Sequence, residues 1–155
     1  MNYNPEQRII ELGLVLPPPP NPIGLYKPIV ISGNMLYVSG QGPVRNDGTL
    51  IAGKIGADLT LEEGKLAARQ VGLTMISILK AHYGDLNGIL RLVKTLGMVN
   101  CAPDFYGAPA VINGFSELMV DIFGEVNGKG ARSSVGLHLP DNIAAEIEAI
   151  FELKP

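Results

Sequence analysis

Apolar residues recur at intervals of three and four residues in the middle of the chain, at Ala68, Val71, Met75 and Leu79. This spacing places them on one side of a helix and gives that helix a single stripe to bury. Thr60 precedes the stretch and is followed three residues later by Glu63, a pair that forms a capping box. We therefore predict a helix that begins after Thr60, continues to about Tyr83 and ends at Gly84.

The first predicted helix contains small residues, and a second helix is predicted after it. The weak helix formers Gly64, Gly72 and Thr74 are interpreted as places where the helix approaches a sheet closely. A second helix is predicted for residues 109–123, because proline is favoured at the first helical position. The glycine-rich residues 125–131 are expected to form a flexible loop.

A shorter helix is predicted at the N-terminus, from residue 5 to about residue 14, with Asn4 as its cap. Four successive prolines, Pro17 to Pro20, end this helix and impose an extended connector. We therefore expect residues 1–20 to form a helix and connector, and residues 21–155 to form the globular domain. The alternative is that the prolines bind a partner domain, but their flanks resemble folded protein.

Two strands and a hairpin are predicted early in the chain. Residues 27–32 and residues 35–39 lie on either side of Gly33-Asn34, which suits a tight turn. A second turn at Asn46-Asp47-Gly48 precedes residues 49–51, which are expected to form a short third strand.

Three more strands are predicted in the second half of the chain. Residues 90–100 form the first of them, and Gly97 either weakens it or marks a bulge. Residues 133–139 alternate in polarity, as a strand with two different faces does. Residues 145–153 also alternate, with two glutamates on the face opposite the apolar side chains.

The predicted order of elements is a helix, three strands, a helix, a strand, a helix and two strands. This order is typical of an α+β fold in which two long helices cover one face of a mixed β-sheet. The other face of such a sheet stays apolar and exposed, and three sheets around an axis could bury one another. A composition of 46% hydrophobic and 17% charged residues agrees with that assembly.

Charge and cysteine content limit the classes of partner and compartment. The net charge of −3 argues against nucleic acid, because phosphate binding requires a basic surface. No apolar run reaches the roughly 18 residues of a membrane span, and no basic cluster marks a membrane surface. Cys101 is the only cysteine and no signal-peptide core is present, so we expect a cytoplasmic protein with Cys101 buried at a strand end.

One arginine and two glutamates are the main candidates for chemistry. Arg132 follows the glycine-rich loop, and a guanidinium binds a carboxylate through two parallel hydrogen bonds; a salt bridge is an equally good interpretation. Glu146 and Glu148 are most simply a solvated strand edge, although a glutamate near Arg132 could transfer a proton or orient a water. His82 and His138 have no cluster of further ligands around them, so no metal site is expected.

Six short sequence blocks look like blocks of a known family and follow one another in the same order as in that family. They are Asn21–Tyr26, Val38–Pro43, Asn113–Phe115, Ala131–Gly136, Leu139-Pro140 and Glu146–Ile150. Together they resemble the YjgF/RidA family of reactive-intermediate deaminases over most of the chain. The N-terminal extension resembles a longer bacterial branch of that family. The resemblance implies a chorismate-mutase-like fold, a homotrimer with three clefts between subunits, and no cofactor.

The resemblance also implies an activity and a set of residues. The activity is hydrolysis of enamines and imines, such as 2-aminoacrylate, to 2-keto acids and ammonia. Arg132 matches the arginine that binds the substrate carboxylate, and Glu146 matches the glutamate that holds the attacking water. The positions that match the mouth and lining of the pocket are Tyr26, Gly40, Asn113 and Ser134.

Two other functions stay open on the sequence. A non-catalytic trimer could bind a keto acid or a similar carboxylate metabolite through Arg132 without converting it. An endoribonuclease activity, attributed to some relatives, is the third hypothesis. The acidic composition and the absence of a histidine pair or metal site argue against it.

Overall fold

Five strands form one mixed β-sheet in the computed structural model, which describes residues 3–155. They are β1 (Ile29–Ser32), β2 (Met35–Gln41), β3 (Ile89–Asn100), β4 (Ala131–Leu137) and β5 (Ala145–Leu153). The order across the sheet is β1-β2-β5-β3-β4. Neighbouring strands are antiparallel except β3 and β4, which are parallel. The last strand of the chain is therefore the central strand of the sheet.

Three helices accompany the sheet in the described residues: α1 (Pro5–Glu11), α2 (Leu61–His82) and α3 (Ala108–Gly128). Single 3₁₀ turns lie at Leu86–Gly88 and Pro140–Asn142. The two long helices pack on each other and on one face of the sheet, which confirms the predicted α+β layers. The apolar stripe predicted on α2 is completely buried in the core between these layers.

Two of the three predicted helix starts carry side-chain caps, and α3 begins after Gly107 without one. The Asn4 side chain accepts a hydrogen bond from the Gln7 amide at 3.0 Å. Thr60 and Glu63 form the reciprocal capping box, with bonds of 3.1 and 2.7 Å. Short-range hydrogen bonding thus determines where these helices begin.

The N-terminal extension is held against the rest of the chain by long-range hydrogen bonds. Its helix ends at Glu11, three residues earlier than expected. The Ser77 hydroxyl donates to the Pro17 carbonyl at 2.7 Å, and the Glu6 carboxylate accepts from the Leu86 amide at 3.0 Å. Residues 1 and 2 of the predicted extension lie outside the described part of the chain.

The short strand predicted at residues 49–51 is not formed. Leu50 makes only an isolated bridge with Val44. Gly53 follows with φ of +128°, which turns the chain before a ladder can extend. The prediction is wrong because the chain turns at Gly53, directly after these residues, and continues as an irregular loop.

Close approach of the two long helices explains the glycines inside them. A Cβ at Gly72 would lie 2.7 Å from Leu118 Cδ2 of α3, and a Cβ at Gly114 would overlap the Lys65 carbonyl of α2. We predicted that the small residues of α2 allow close approach to a sheet, and this prediction is wrong at Gly72. The neighbour is the second helix, and apolar spacing alone does not identify which element a helix meets.

Two further predictions about glycines require correction. Gly97 does not mark a bulge, because the irregular pairing of β3 lies at Ile89–Arg91 and Leu92–Lys94. A Cβ at Gly97 would instead lie 2.5 Å from Ile112 Cγ1, so the glycine admits α3. Gly124 has φ of +85° and interrupts α3, which then adds a helical turn where a flexible loop was expected.

The uncovered face of the sheet exposes a group of large apolar side chains. Four of them are between 40% and 49% exposed in the single chain: Val30, Tyr37, Val135 and Leu137. Exposed apolar surface of this kind is typical of a site that another protein surface covers.

Replacement of Gly114 by alanine tests the helix crossing. Helix propensity alone predicts that Gly114→Ala stabilises the protein by about 1 kcal/mol. We expect the opposite, a loss of about 1–3 kcal/mol, because the new Cβ would overlap the Lys65 carbonyl. Urea unfolding measures the change, and a stabilised variant would contradict the crossing.

Candidate functional site

Arg132 and Glu146 lie on opposite faces of the sheet within one chain. Met98 of β3 pairs with Glu146 of β5 on one side and with Val135 of β4 on the other, so these three share the uncovered face. Arg132 is three residues from Val135 and therefore points to the face that the helices cover. A single chain thus divides the predicted site residues into two groups.

The Arg132 guanidinium is held by neutral oxygens of α3. One of its nitrogens donates to Asn113 Oδ1 at 2.9 Å and to Ser116 Oγ at 3.1 Å, and the other donates to the Pro109 carbonyl at 3.3 Å. Within residues 3–155 its side chain forms no ion pair. The guanidinium is therefore held in a fixed orientation without a neutralising carboxylate, so its charge stays available for an anion.

Ser134 shares a strand face with Arg132 and carries an unsatisfied hydroxyl. Its Oγ is buried and has no hydrogen-bond partner in the described chain. An orphaned buried hydroxyl costs about 1–3 kcal/mol, so a bound molecule or water at this position would stabilise it. Ser116 was missed by the sequence interpretation, although it lies one helical turn after Asn113 and faces the same side of α3.

Glu146 lies in a cavity of about 550 Å³ beside the uncovered face of the sheet. Tyr26 and Gly40 also line it, so three of the six predicted site residues are brought together here. A Cβ at Gly40 would overlap Glu146 Oε1. The Glu146 carboxylate therefore lies directly over the Gly40 backbone, and a side chain at position 40 would displace it.

The cavity is lined by negative charge. Asp141 and Glu148 join Glu146 among its lining residues, and no Lys, Arg or His from the described chain is among them. Burial of the carboxyl group, and second the Glu148 carboxylate, raise the pKa of Glu146 above the ordinary glutamate value. In a single chain the cavity thus favours a cation or a proton.

The remaining candidate residues lie outside this cavity. His138 Nδ1 is 3.1 Å from Lys54 Nζ, and His82 ends α2. Cys101 is half-buried, less than expected, with its Sγ 3.9 Å from the Phe105 carbonyl. Within residues 3–155 there is no group of three or more His, Cys, Asp or Glu suited to a metal ion. The same residues contain no helix long and apolar enough to cross a membrane.

Comparison with known protein families identifies the family of this chain. A family described as "YjgF/chorismate mutase-like, putative endoribonuclease" matches residues 6–145. The chain belongs to the YjgF family. This confirms the predicted family and its chorismate-mutase-like fold.

Relatives of this YjgF-family chain match nearly its full length. Protein TCP17 of Trypanosoma cruzi is 41% identical over 92% of this chain and 89% of its own. The crystal structure of Atu1372 from Agrobacterium tumefaciens, of unknown function, is 38% identical with a TM-score of 0.86, over 97% of this chain and 94% of its own. A "putative endoribonuclease" from Shewanella oneidensis MR-1 is 33% identical with a TM-score of 0.92, over 97% and 99%. The two structures each cover 97% of this chain, so they include most of its N-terminal extension.

Replacement of Gly40 tests the position of the Glu146 carboxylate. Gly40→Ala should leave the protein folded, because Gly40 is not in the left-handed region of φ and the overlapping atom ends a flexible side chain. The carboxylate should rotate away, and a crystal structure of the variant would reveal the displacement.

Gly42→Ala is the matched control for this test, because its Cβ would meet Ile143 Cδ1 at 3.2 Å and Leu50 Cδ2 at 3.5 Å rather than the carboxylate. We expect Glu146 to keep its position in that variant. An unmoved Glu146 in Gly40→Ala would show that the two groups are not in contact.

Proposed function

We propose that the protein is a hydrolase that deaminates 2-imino and enamine acids at a site shared by two subunits. The observation that carries the proposal is the separation of opposite charges. The cavity around Glu146 holds three carboxylates and no cation of the described chain, whereas Arg132 on the other face has no carboxylate partner. Each half supplies what the other lacks, so Arg132 of the partner subunit would complete the cavity.

A homotrimer is the proposed assembly. The half-exposed apolar side chains on the uncovered sheet face would be buried by neighbouring sheets around a threefold axis. Closed cyclic symmetry repeats one heterologous interface, so a contact that joins the Arg132 surface of one chain to the Glu146 cavity of the next would recur at every subunit pair. The cytoplasm remains the proposed compartment, on the strength of the single free cysteine.

The charges of this composite cleft suit an imino acid. The partner's Arg132 would bind the carboxylate of the substrate by paired hydrogen bonds. The substrate nitrogen, positively charged as an iminium, would then face the three cavity carboxylates. Fixing both ends of a small molecule places its C2 carbon beside Glu146, and this positioning can supply much of the rate acceleration.

Glu146 would act on the attacking water. An enamine first takes a proton at its terminal carbon to become the imine. Glu146 then accepts a proton from water as the water oxygen bonds to C2, which gives a carbinolamine. Glu146 then returns that proton to the nitrogen, and the C–N bond breaks as the C2 hydroxyl loses its proton to solvent, so the products are a 2-keto acid and ammonia. A pKa of Glu146 raised by burial makes the carboxylate a better proton acceptor.

The endoribonuclease function suggested by the relatives' names is less well supported by this site. RNA binding depends on neutralising phosphates with basic side chains. The cavity is lined by three carboxylates, and the net charge of the chain is −3. An anionic phosphodiester backbone would be repelled from this cavity.

Substitution of Arg132 and Glu146 separates catalysis from binding alone. Arg132→Ala should lose binding of 2-ketobutyrate, at a cost of about 2–5 kcal/mol for removal of one partner of a desolvated charge pair. Glu146→Gln should retain binding but lose hydrolysis of the imine. Titration calorimetry and a coupled keto-acid assay measure the two properties.

Arg69→Ala removes an arginine whose ion pair with Asp121 is partly exposed, and it serves as the control for loss of positive charge. Equal affinity in Arg132→Ala and the parent would refute the role of Arg132. Binding by the parent without any hydrolysis would instead establish the non-catalytic alternative.

Mixing of two inactive variants tests whether the site is shared. Arg132→Ala and Glu146→Gln chains should each be inactive, yet co-expression should restore about one quarter of the parental activity. Random assembly joins an intact Arg132 to an intact Glu146 at one interface in four of a closed ring. Light scattering on the same samples should give a trimer of 16.5 kDa chains. No recovery of activity, or a monomer mass, would overturn the shared site.

A further inference from the structure

The cavity around Glu146 has a polar part and an apolar part. Its polar part lies over Gly40, where the Glu146 carboxylate sits. Two residues further along the chain, Gly42 faces the methyl groups of Leu50 and Ile143. Two residues of chain span at most about 6–7 Å, so the apolar part begins close to the Gly40 backbone on which the Glu146 carboxylate lies.

The end of the N-terminal extension and the residues directly after it add to the apolar walls. Pro20, Pro22 and Ile23 line the same cavity as Leu50 and Ile143. The polyproline segment ahead of them is fixed by the hydrogen bond that the Ser77 hydroxyl donates to the Pro17 carbonyl, 2.7 Å long. The chain that leads into this wall is therefore held in place at Pro17.

In the single chain, before the partner's Arg132 enters it, the cavity has more room than a small imino acid requires. At about 550 Å³ it falls within the range of roughly 300–1,000 Å³ that encloses drug-sized ligands. An acid of three or four carbons would contact the polar part and leave the apolar walls unoccupied. Unfilled apolar surface forfeits both contact and desolvation energy.

We propose that the preferred substrate is a 2-imino acid with a large apolar side chain, of leucine or phenylalanine size. Leu50, Val44 and Ile143 form the pocket for that side chain, and the extension closes it. This inference rests on the proposed deaminase function and specifies its substrate class. Burial of each additional methylene should raise kcat/KM about fourfold.

The test compares imino acids generated in situ by an amino acid oxidase from alanine, 2-aminobutyrate, leucine and phenylalanine. The parent should hydrolyse the leucine and phenylalanine products with at least a tenfold higher kcat/KM than the alanine product. Leu50→Trp fills the pocket and should reduce that ratio at least tenfold. Leu50→Asn, which keeps the number and branching of the side-chain heavy atoms but replaces the methyl groups by an amide, should also reduce it, and it provides a second variant if the tryptophan impairs folding.

Leu66→Trp is the matched control, because Leu66 is exposed on α2 and does not line the cavity. Its ratio should equal that of the parent. A parent that hydrolyses the alanine product as well as the larger ones, or a Leu50 variant that lowers all substrates equally, would overturn the side-chain pocket while leaving the deaminase function intact.

Binding separates a failure of the proposed function from a failure of the pocket. If the parent hydrolyses none of the imines, the deaminase proposal fails. Titration calorimetry with 4-methyl-2-oxopentanoate and 2-ketobutyrate then decides the pocket. At least tenfold tighter binding of the larger acid, lost in Leu50→Trp, supports it, and equal binding overturns it.

Discussion

Alternation of side chains across one β-sheet is the constraint on which the candidate site depends. It sends Arg132 to the helix-covered face and Glu146 to the uncovered face. Within residues 3–155 neither charge then has an opposite partner, because the intervening sheet separates them. The half-exposed apolar side chains on the uncovered face, near Glu146, form a surface that a neighbouring chain can cover. The alternation that separates Arg132 from Glu146 thus also provides the surface through which two chains could bring them together.

Much of the fold could be predicted because its signals are local. Helix starts depend on side chains three residues apart, and both caps at Asn4 and Thr60 were found from sequence. The failures involve interactions between distant parts of the chain. Apolar spacing on α2 does not show that Gly72 meets α3, and the turn at Gly53 cancels a short strand whose own residues favour extension. Periodicity describes which side of an element is buried, but not what buries it.

The sequence proposed members for the candidate site but could not predict how one chain distributes them. Motif resemblance identified Arg132, Glu146 and the four residues around them, and all six lie in one half of the site or the other. Their distribution over two faces depends on strand order and register, which are non-local properties. Ser116 and the carboxylate of Asp141 carried no motif, and only the packing of α3 and of the Pro140–Asn142 turn brings them to the site.

The extension gives this chain a means of changing its chemistry without altering its scaffold. Pro20, Pro22 and Ile23 wall the cavity from outside the sheet, and one hydrogen bond from Ser77 anchors the segment that carries them. Insertions or substitutions there would reshape the chamber while β5 and its glutamates keep their register. In the proposed pocket, substitutions in this wall would change side-chain selectivity while sparing the central strand, because exposed terminal segments tolerate change better than buried strands do.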